Sequence, residues 1–282
     1  NSCHDDYNNM VIIQDQALAS AYKTEFEEIW GSNTNTPNPA NAKFGADKTD
    51  NTPHSFNIDG IPVELYFSPS DGTTSHIESA IRTANSDMQF AMLTFINNDL
   101  GDAVIDIHDA VVNVKGIIEN ILYFGSEYTG LVNAGVDVLS HMTEANFFHH
   151  KYAVVDATNP ASNPLVITGS HNWTKSAEED YDENTLIIHS AEIAAMYYEE
   201  FMARWADLTG AQIPSYLTLE KPLVLLDPST EEINIISKSP CNFKVYNSIG
   251  QVVFSQSNLS NNFKINANQL MSGFYTVVVN TK

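Results

Sequence analysis

FFHHKYAVVD (147–156) and LVITGSHN (165–172) decide how this chain is read. Both are short apolar runs rich in β-branched and aromatic residues, the pattern of buried strands. Alternate residues on an extended strand share a face. His149 and Lys151 therefore point one way, with His150 and Asp156 on the other face. Ser170 and Asn172 share a face on the second run. Strands laid side by side would gather an imidazole, an ammonium, a hydroxyl and an amide, a set that suits a phosphoryl centre. An imidazole can attack phosphorus or pass a proton near neutral pH. Lys151 and Asn172 can hold equatorial oxygens as charge builds, and Ser170 can add a hydrogen bond. No metal or other cofactor is needed. A single strand histidine is usually structural, and His150 reads that way. Lys151 inside an apolar run is harder to dismiss, because a buried ammonium is costly unless paired or used.

Working outward, VELYFSP (63–69), MQFAMLTF (88–95), VVNVKGIIE (111–119), VDVLSH (136–141) and NTLIIHS (184–190) read as strands. Residues 75–86, 98–111 and 191–208 carry helical spacing. Strands alternating with helices predict an α/β layer fold over 56–210. Residues 32–55 and 211–222, rich in Asn, Thr and Pro, read as linkers. Residues 223–282 alternate with period two, as in FKVYNSIGQVVFSQS, and predict a small all-β module. No apolar run is long enough to cross a membrane as a helix.

The net charge of −22 is uneven: residues 211–282 carry 5 Lys and 4 acidic residues, so the deficit lies in the first 210. An acidic body repels a phosphate backbone and disfavours broad electrostatic capture of nucleic acid. Cys3 and Cys241 make no disulfide framework, and the histidines lack ligand spacing for a metal. Lys115 and Lys175 read as solvated surface lysines.

An internal repeat is also present. NNMVIIQDQALASAYKTEFEEIW (8–30) matches ENTLIIHSAEIAAMYYEEFMARW (183–205) at an offset of 175, with Asn9/Asn184, Ala19/Ala194, Tyr22/Tyr197, Phe26/Phe201 and Trp30/Trp205 coinciding. Residues 1–31 are therefore expected to be the tail of a first, truncated copy of the domain. That tail would complete the fold without completing the chemistry. Asn8 stands where the second copy has Glu183.

His149-x-Lys151-x4-Asp156 followed by Gly169-Ser170-x-Asn172 resembles the His-Lys-Asp signature of the phospholipase D superfamily. The resemblance covers about residues 60–208. It implies a sandwich-type mixed β-sheet flanked by helices, with His149 as nucleophile or acid–base partner of a second histidine. It further implies Lys151 and Asn172 as phosphate ligands, Ser170 in support, Glu183 hydrogen-bonded to the catalytic histidine, and Asp156 as a structural brace with Gly169 in the motif. Members of the family pair two such motifs across a pseudo-twofold axis, so a second repeat or a homodimer is expected to complete the site. Residues 223–282, through LLDPSTEEINI, FKVYNSIGQVVF and LMSGFYTVVVN, resemble the C-terminal sorting domain of the type IX secretion system. That implies an Ig-like β-domain, contact with secretion machinery, and export to the cell surface or beyond. The expected activity is phosphodiester hydrolysis through a phosphohistidine, most readily at a phospholipid head group. A secreted metal-independent endonuclease, with nucleic acid as partner, and a non-catalytic surface-binding module are the competing readings.

Overall fold

The computed structural model describes residues 6–210 and, beyond them, six strands with one adjoining residue. Cys3, His4 and the 211–222 linker lie outside the described residues. The chain divides into two compact units, 1–212 and 213–282.

The first unit is built on an eight-stranded mixed sheet, in the order β1-β2-β8-β7-β6-β3-β4-β5. Its strands are β1 (Ser55–Ile58), β2 (Ile61–Ser68), β3 (Asp87–Met92), β4 (Asn113–Ile118), β5 (Asp137–Ser140), β6 (Lys151–Val155), β7 (Leu165–Gly169) and β8 (Glu183–Ile188). Strands β3, β4 and β5 run parallel, joined through the helices α3 (Asn98–Asp109) and α4 (Tyr128–Asn133). The other pairings are antiparallel. Helix α2 (Thr73–Ile81) joins α3 on one face, where Ile77, Ile81, Leu100 and Val104 pack on Phe90, Val155 and Ile167.

The opposite face carries two helices. Helix α6 (Ala191–Thr209) sets Phe201 against Ala91, Ile117, Phe148 and Tyr152. Helix α1 (Gln16–Trp30) sets Leu18 and Ala21 against Val63, Leu65, Phe67, Leu186 and Ile188. The strands read from sequence are thus all present, and the reason is period: both faces of the sheet are covered, so its strands are continuous apolar runs.

The two halves of the internal repeat begin alike. Helices α1 and α6 start at positions 16 and 191, 175 apart, behind the caps Asp15 and Ser190, whose side chains accept from Leu18 N and Ile193 N. The stretch 32–55 packs on the domain. Lys48, fully buried, bonds Glu25 on α1 at 2.5 Å and the carbonyl of Ser68 at 2.7 Å. Burial raises the Glu25 carboxyl above its ordinary range, against the pull of Lys48.

In the second unit, β9 (Leu223–Asp227), β10 (Glu232–Ile236) and β13 (Asn262–Asn266) form one antiparallel sheet. Strands β11 (Cys241–Asn247), β12 (Val252–Leu259) and β14 (Tyr275–Thr281) form another. Phe243, fully buried, meets Phe254 of its own sheet and Phe263 of the other.

Candidate active site

Strand β6 begins at Lys151, β7 ends at Gly169 and β8 begins at Glu183, so all three meet at one edge of the sheet. The parallel strands β3 and β4 end on the same edge, since Met92 pairs with both Lys151 and Ile118. The edge collects the motif residues, but not all from strands. His149, Ser170 and Asn172 lie past the strand ends, which corrects the extended-strand reading. Two local causes account for this. Residues 147–149 pair with Tyr7 instead: Tyr7 N donates to Phe147 O at 2.8 Å and His149 N to Tyr7 O at 2.9 Å. At Gly169 the backbone turns through φ +153, and a Cβ there would lie 2.1 Å from Asn184 O. Only glycine lets β7 close on β8 at that point.

Lys151 is half-buried, and its Nζ donates to His149 O at 3.0 Å. Burial pulls this ammonium down to about 8, against the opposing charge of Glu183. The His149 imidazole is held below its ordinary value, first by burial and then by the charge of Lys151, with Asp6 pulling the other way. A neutral imidazole is able to act as a nucleophile, and a lysine that keeps its charge beside it is able to hold an anion. Ser170 Oγ accepts from Asn184 N at 3.0 Å and from Asn184 Nδ2 at 3.1 Å. Asn172 presents a buried carboxamide oxygen with no hydrogen-bond partner.

The structure places Glu183 differently from the resemblance. It opens β8 and acts on Lys151, whereas Nδ1 of His149 is taken by Asn8 Oδ1 at 3.0 Å. Asp156 is fully buried, away from this edge. Its carboxylate accepts from Asn85 N at 2.9 Å, Ser86 N at 2.8 Å and Ser162 Oγ at 2.5 Å. Burial pushes that carboxyl up, but the hydrogen bonds outweigh it and hold it below the usual range. His150 faces α6 beside Glu200, on the far side from His149.

Asn8 was legible in the sequence only as the repeat counterpart of Glu183; its contact with His149 was not. Two further groups escaped sequence reading because their members are far apart in the chain. The buried pair His141–Glu119, at 2.8 Å, sits where β4 and β5 end. Asp50, His54 and Asp71 bring ligand-type atoms within 4.8 Å of one another, but those atoms bond to the scaffold and to each other: His54 to Leu65 O and Asp50, Asp71 to Phe67 N. Lys115 pairs with Asp137 and lies over the Trp205 ring, and Lys175 pairs with Glu179, as surface lysines do.

Residues 77–205 match the family described as "Cardiolipin synthase, PLD-like domain". Residues 227–282 match the "Secretion system C-terminal sorting domain". Two successive stretches of the chain are thus similar to a phospholipase D-like domain and to a secretion sorting domain. Among curated proteins it is 32% identical over 151 residues to "Mitochondrial cardiolipin hydrolase" of Mus musculus, covering 52% of this chain and 64% of that protein. The Xenopus tropicalis protein of that name is 33% identical over 144 residues, 50% of this chain and 65% of the other. The "Phospholipase D" of Rickettsia bellii is 27% identical, covering 51% and 69%. The chain thus spans somewhat under two thirds of the length of the two cardiolipin hydrolases. Among solved structures, the phospholipase D family member Nuc from Salmonella typhimurium aligns at a TM-score of 0.44 with 25% identity, over 51% of this chain and 93% of that one.

Proposed function

We propose that the domain hydrolyses a phosphodiester of a phospholipid head group through a covalent phosphohistidine on His149. The observation that carries this reading is the placement of His149 beside Lys151, whose Nζ lies 3.0 Å from the His149 carbonyl, at the edge where β6, β7 and β8 meet. In the proposed reaction, Nε2 of His149 attacks phosphorus and the bond to the head-group oxygen breaks. Lys151 and the Asn172 amide steady the charge on the non-bridging oxygens. A second acid protonates the leaving alcohol; water then attacks the phosphohistidine, giving a phosphomonoester and free His149.

Lipid is favoured over nucleic acid by what surrounds the histidine. Exposed Phe147 stacks on the His149 ring at 5.9 Å. The loop after β4 exposes Leu122, Tyr123 and Phe124, the last wholly in solvent. Apolar side chains beside a polar site suit an acyl interface, and the acidic body repels a nucleic-acid backbone. The curated relatives' name, cardiolipin hydrolase, agrees.

The second acid is assigned to a second phospholipase D-like half, carried by another copy or another segment. Equivalent positions of the two repeat helices are buried in complementary fashion. Ala194 and Phe201 are fully buried on α6, while Ala19 and Phe26 are exposed on α1; Ala21 is buried, while Met196 is 57% exposed. Each helix leaves bare the face that its counterpart covers, as two halves of an isologous pair would. The sorting domain is proposed to act as an export address, with an Ig-like fold.

The test is head-group release from phosphatidylcholine and cardiolipin vesicles in the presence of chelator, alongside plasmid DNA. Release from lipid, lost in His149→Ala by at least about 10³-fold, is expected. Cleavage of DNA without lipid turnover would replace this reading with the nuclease one.

A further inference from the structure

The second half is not the only thing the repeat bears on. Two hydrogen bonds in the structure are images of each other under the offset of 175. Tyr22 OH donates to Asn184 Oδ1 at 3.1 Å, and Asn9 Nδ2 donates to Tyr197 OH at 2.9 Å. Tyr22 corresponds to Tyr197, and Asn9 to Asn184. A residue of one half touching j of the other, while its counterpart touches the counterpart of j, is the mark of a twofold contact. The N-terminal segment therefore sits on the domain in the seat of a second half, and residues 7–9 run along the catalytic edge. Tyr7 pairs in parallel with Phe148, and Asn8 reaches the histidine.

From this we infer that Asn8 is the positioning residue of His149: its carboxamide oxygen accepts from Nδ1–H and fixes the tautomer that leaves Nε2 free to attack. The inference rests on His149 being the nucleophile. The chemistry at this seat differs from that of the repeat counterpart, because Asn8 is an amide where the other copy has the carboxylate of Glu183. An amide orients an imidazole but gives an imidazolium no counter-charge. The charges acting on His149 are those of Lys151 and, from the other side of the strand, His150, which oppose its protonation, and Asp6, which favours it; Glu183 acts on Lys151. With Asn8 in place the site stays neutral and ready at lower pH than a carboxylate partner would allow. What is lost is stabilisation of any imidazolium that must form later in the cycle. His149 is thereby suited to be the nucleophile, leaving acid catalysis to its opposite number.

The test uses the full chain as Asn8→Ala and Asn8→Asp, with the His149 ring followed by NMR against pH and kcat/KM measured on phosphatidylcholine vesicles. Asn8 is exposed, so both variants should fold, and a melting curve checks this. In Asn8→Asp the His149 titration moves up, and the acidic limb of kcat/KM moves up with it. In Asn8→Ala kcat falls roughly 10- to 100-fold, as when an imidazole loses its orienting partner, and Asp restores part of it. If both variants titrate like the parent while His149→Ala abolishes turnover, Asn8 is a bystander and the inference is wrong. If His149→Ala retains full turnover, the proposed function fails instead, and the titration still reports on the Asn8 contact.

Discussion

Lys151 carries the sharpest consequence of the site. Its ammonium is pulled down to about 8 and the His149 imidazole is held below its ordinary value. For the free enzyme, kcat/KM should rise as His149 loses its proton below about 6.5 and fall as Lys151 loses its own near 8. A vesicle assay from pH 5 to 9.5 would show this bell. The same shift bears on stability. Between about 8 and 10.4 the unfolded chain holds the lysine proton and the folded chain does not, so this group makes stability rise with pH across that window. Lys151→Met should therefore abolish turnover yet raise the melting temperature at pH 7, measured by calorimetry. Most of this was readable from FFHHKYAVVD alone: an ammonium in an apolar run announces itself. The partner of His149 was not readable, because Asn8 lies 141 positions away and nothing in the local pattern joins the two.

Between β7 and β8 the decisive point is Gly169. Its φ of +153 and the 2.1 Å approach to Asn184 O leave no room for a side chain. Gly169→Ala should destabilise the first unit by about 2–4 kcal/mol in urea titrations and displace Ser170, which Asn184 holds. Asp156 does comparable work at the far end of β6, where it gathers the N–H groups of Asn85 and Ser86. Asp156→Ala would strand those donors at a cost of about 3 kcal/mol. In the parent protein this carboxylate's contribution, complete above its ordinary pKa, is lost as pH falls through its depressed folded value. Strand parity put Asp156 on the face opposite His149, and its carboxylate bonds the backbone N–H groups of Asn85 and Ser86. Parity failed at Ser170 and Asn172, because period-two reasoning holds only while the chain stays extended, and Gly169 ends that. The helices were legible for the opposite reason, since α1 and α6 keep their spacing and caps to the end.

The molecule as a whole is an acidic α/β unit followed by a nearly neutral β-module. Because the two units are separately compact, removing residues 213–282 should leave vesicle turnover within about twofold of the parent, while the truncated chain is no longer exported; cell fractionation and the assay read the two effects apart. The first unit is also joined to its own N-terminal segment by more than the peptide chain. Helix α1 is docked by Leu18 and Ala21, by Tyr22 on Asn184, and by the buried Glu25–Lys48 pair, while the exposed loop over residues 33–41 merely connects it onward. A protease cutting in that loop would leave two fragments that part on a denaturing gel but travel as one particle in a sizing column. The severed helix would behave as a tightly bound peptide ligand of the rest, and fragments expressed separately should find each other again.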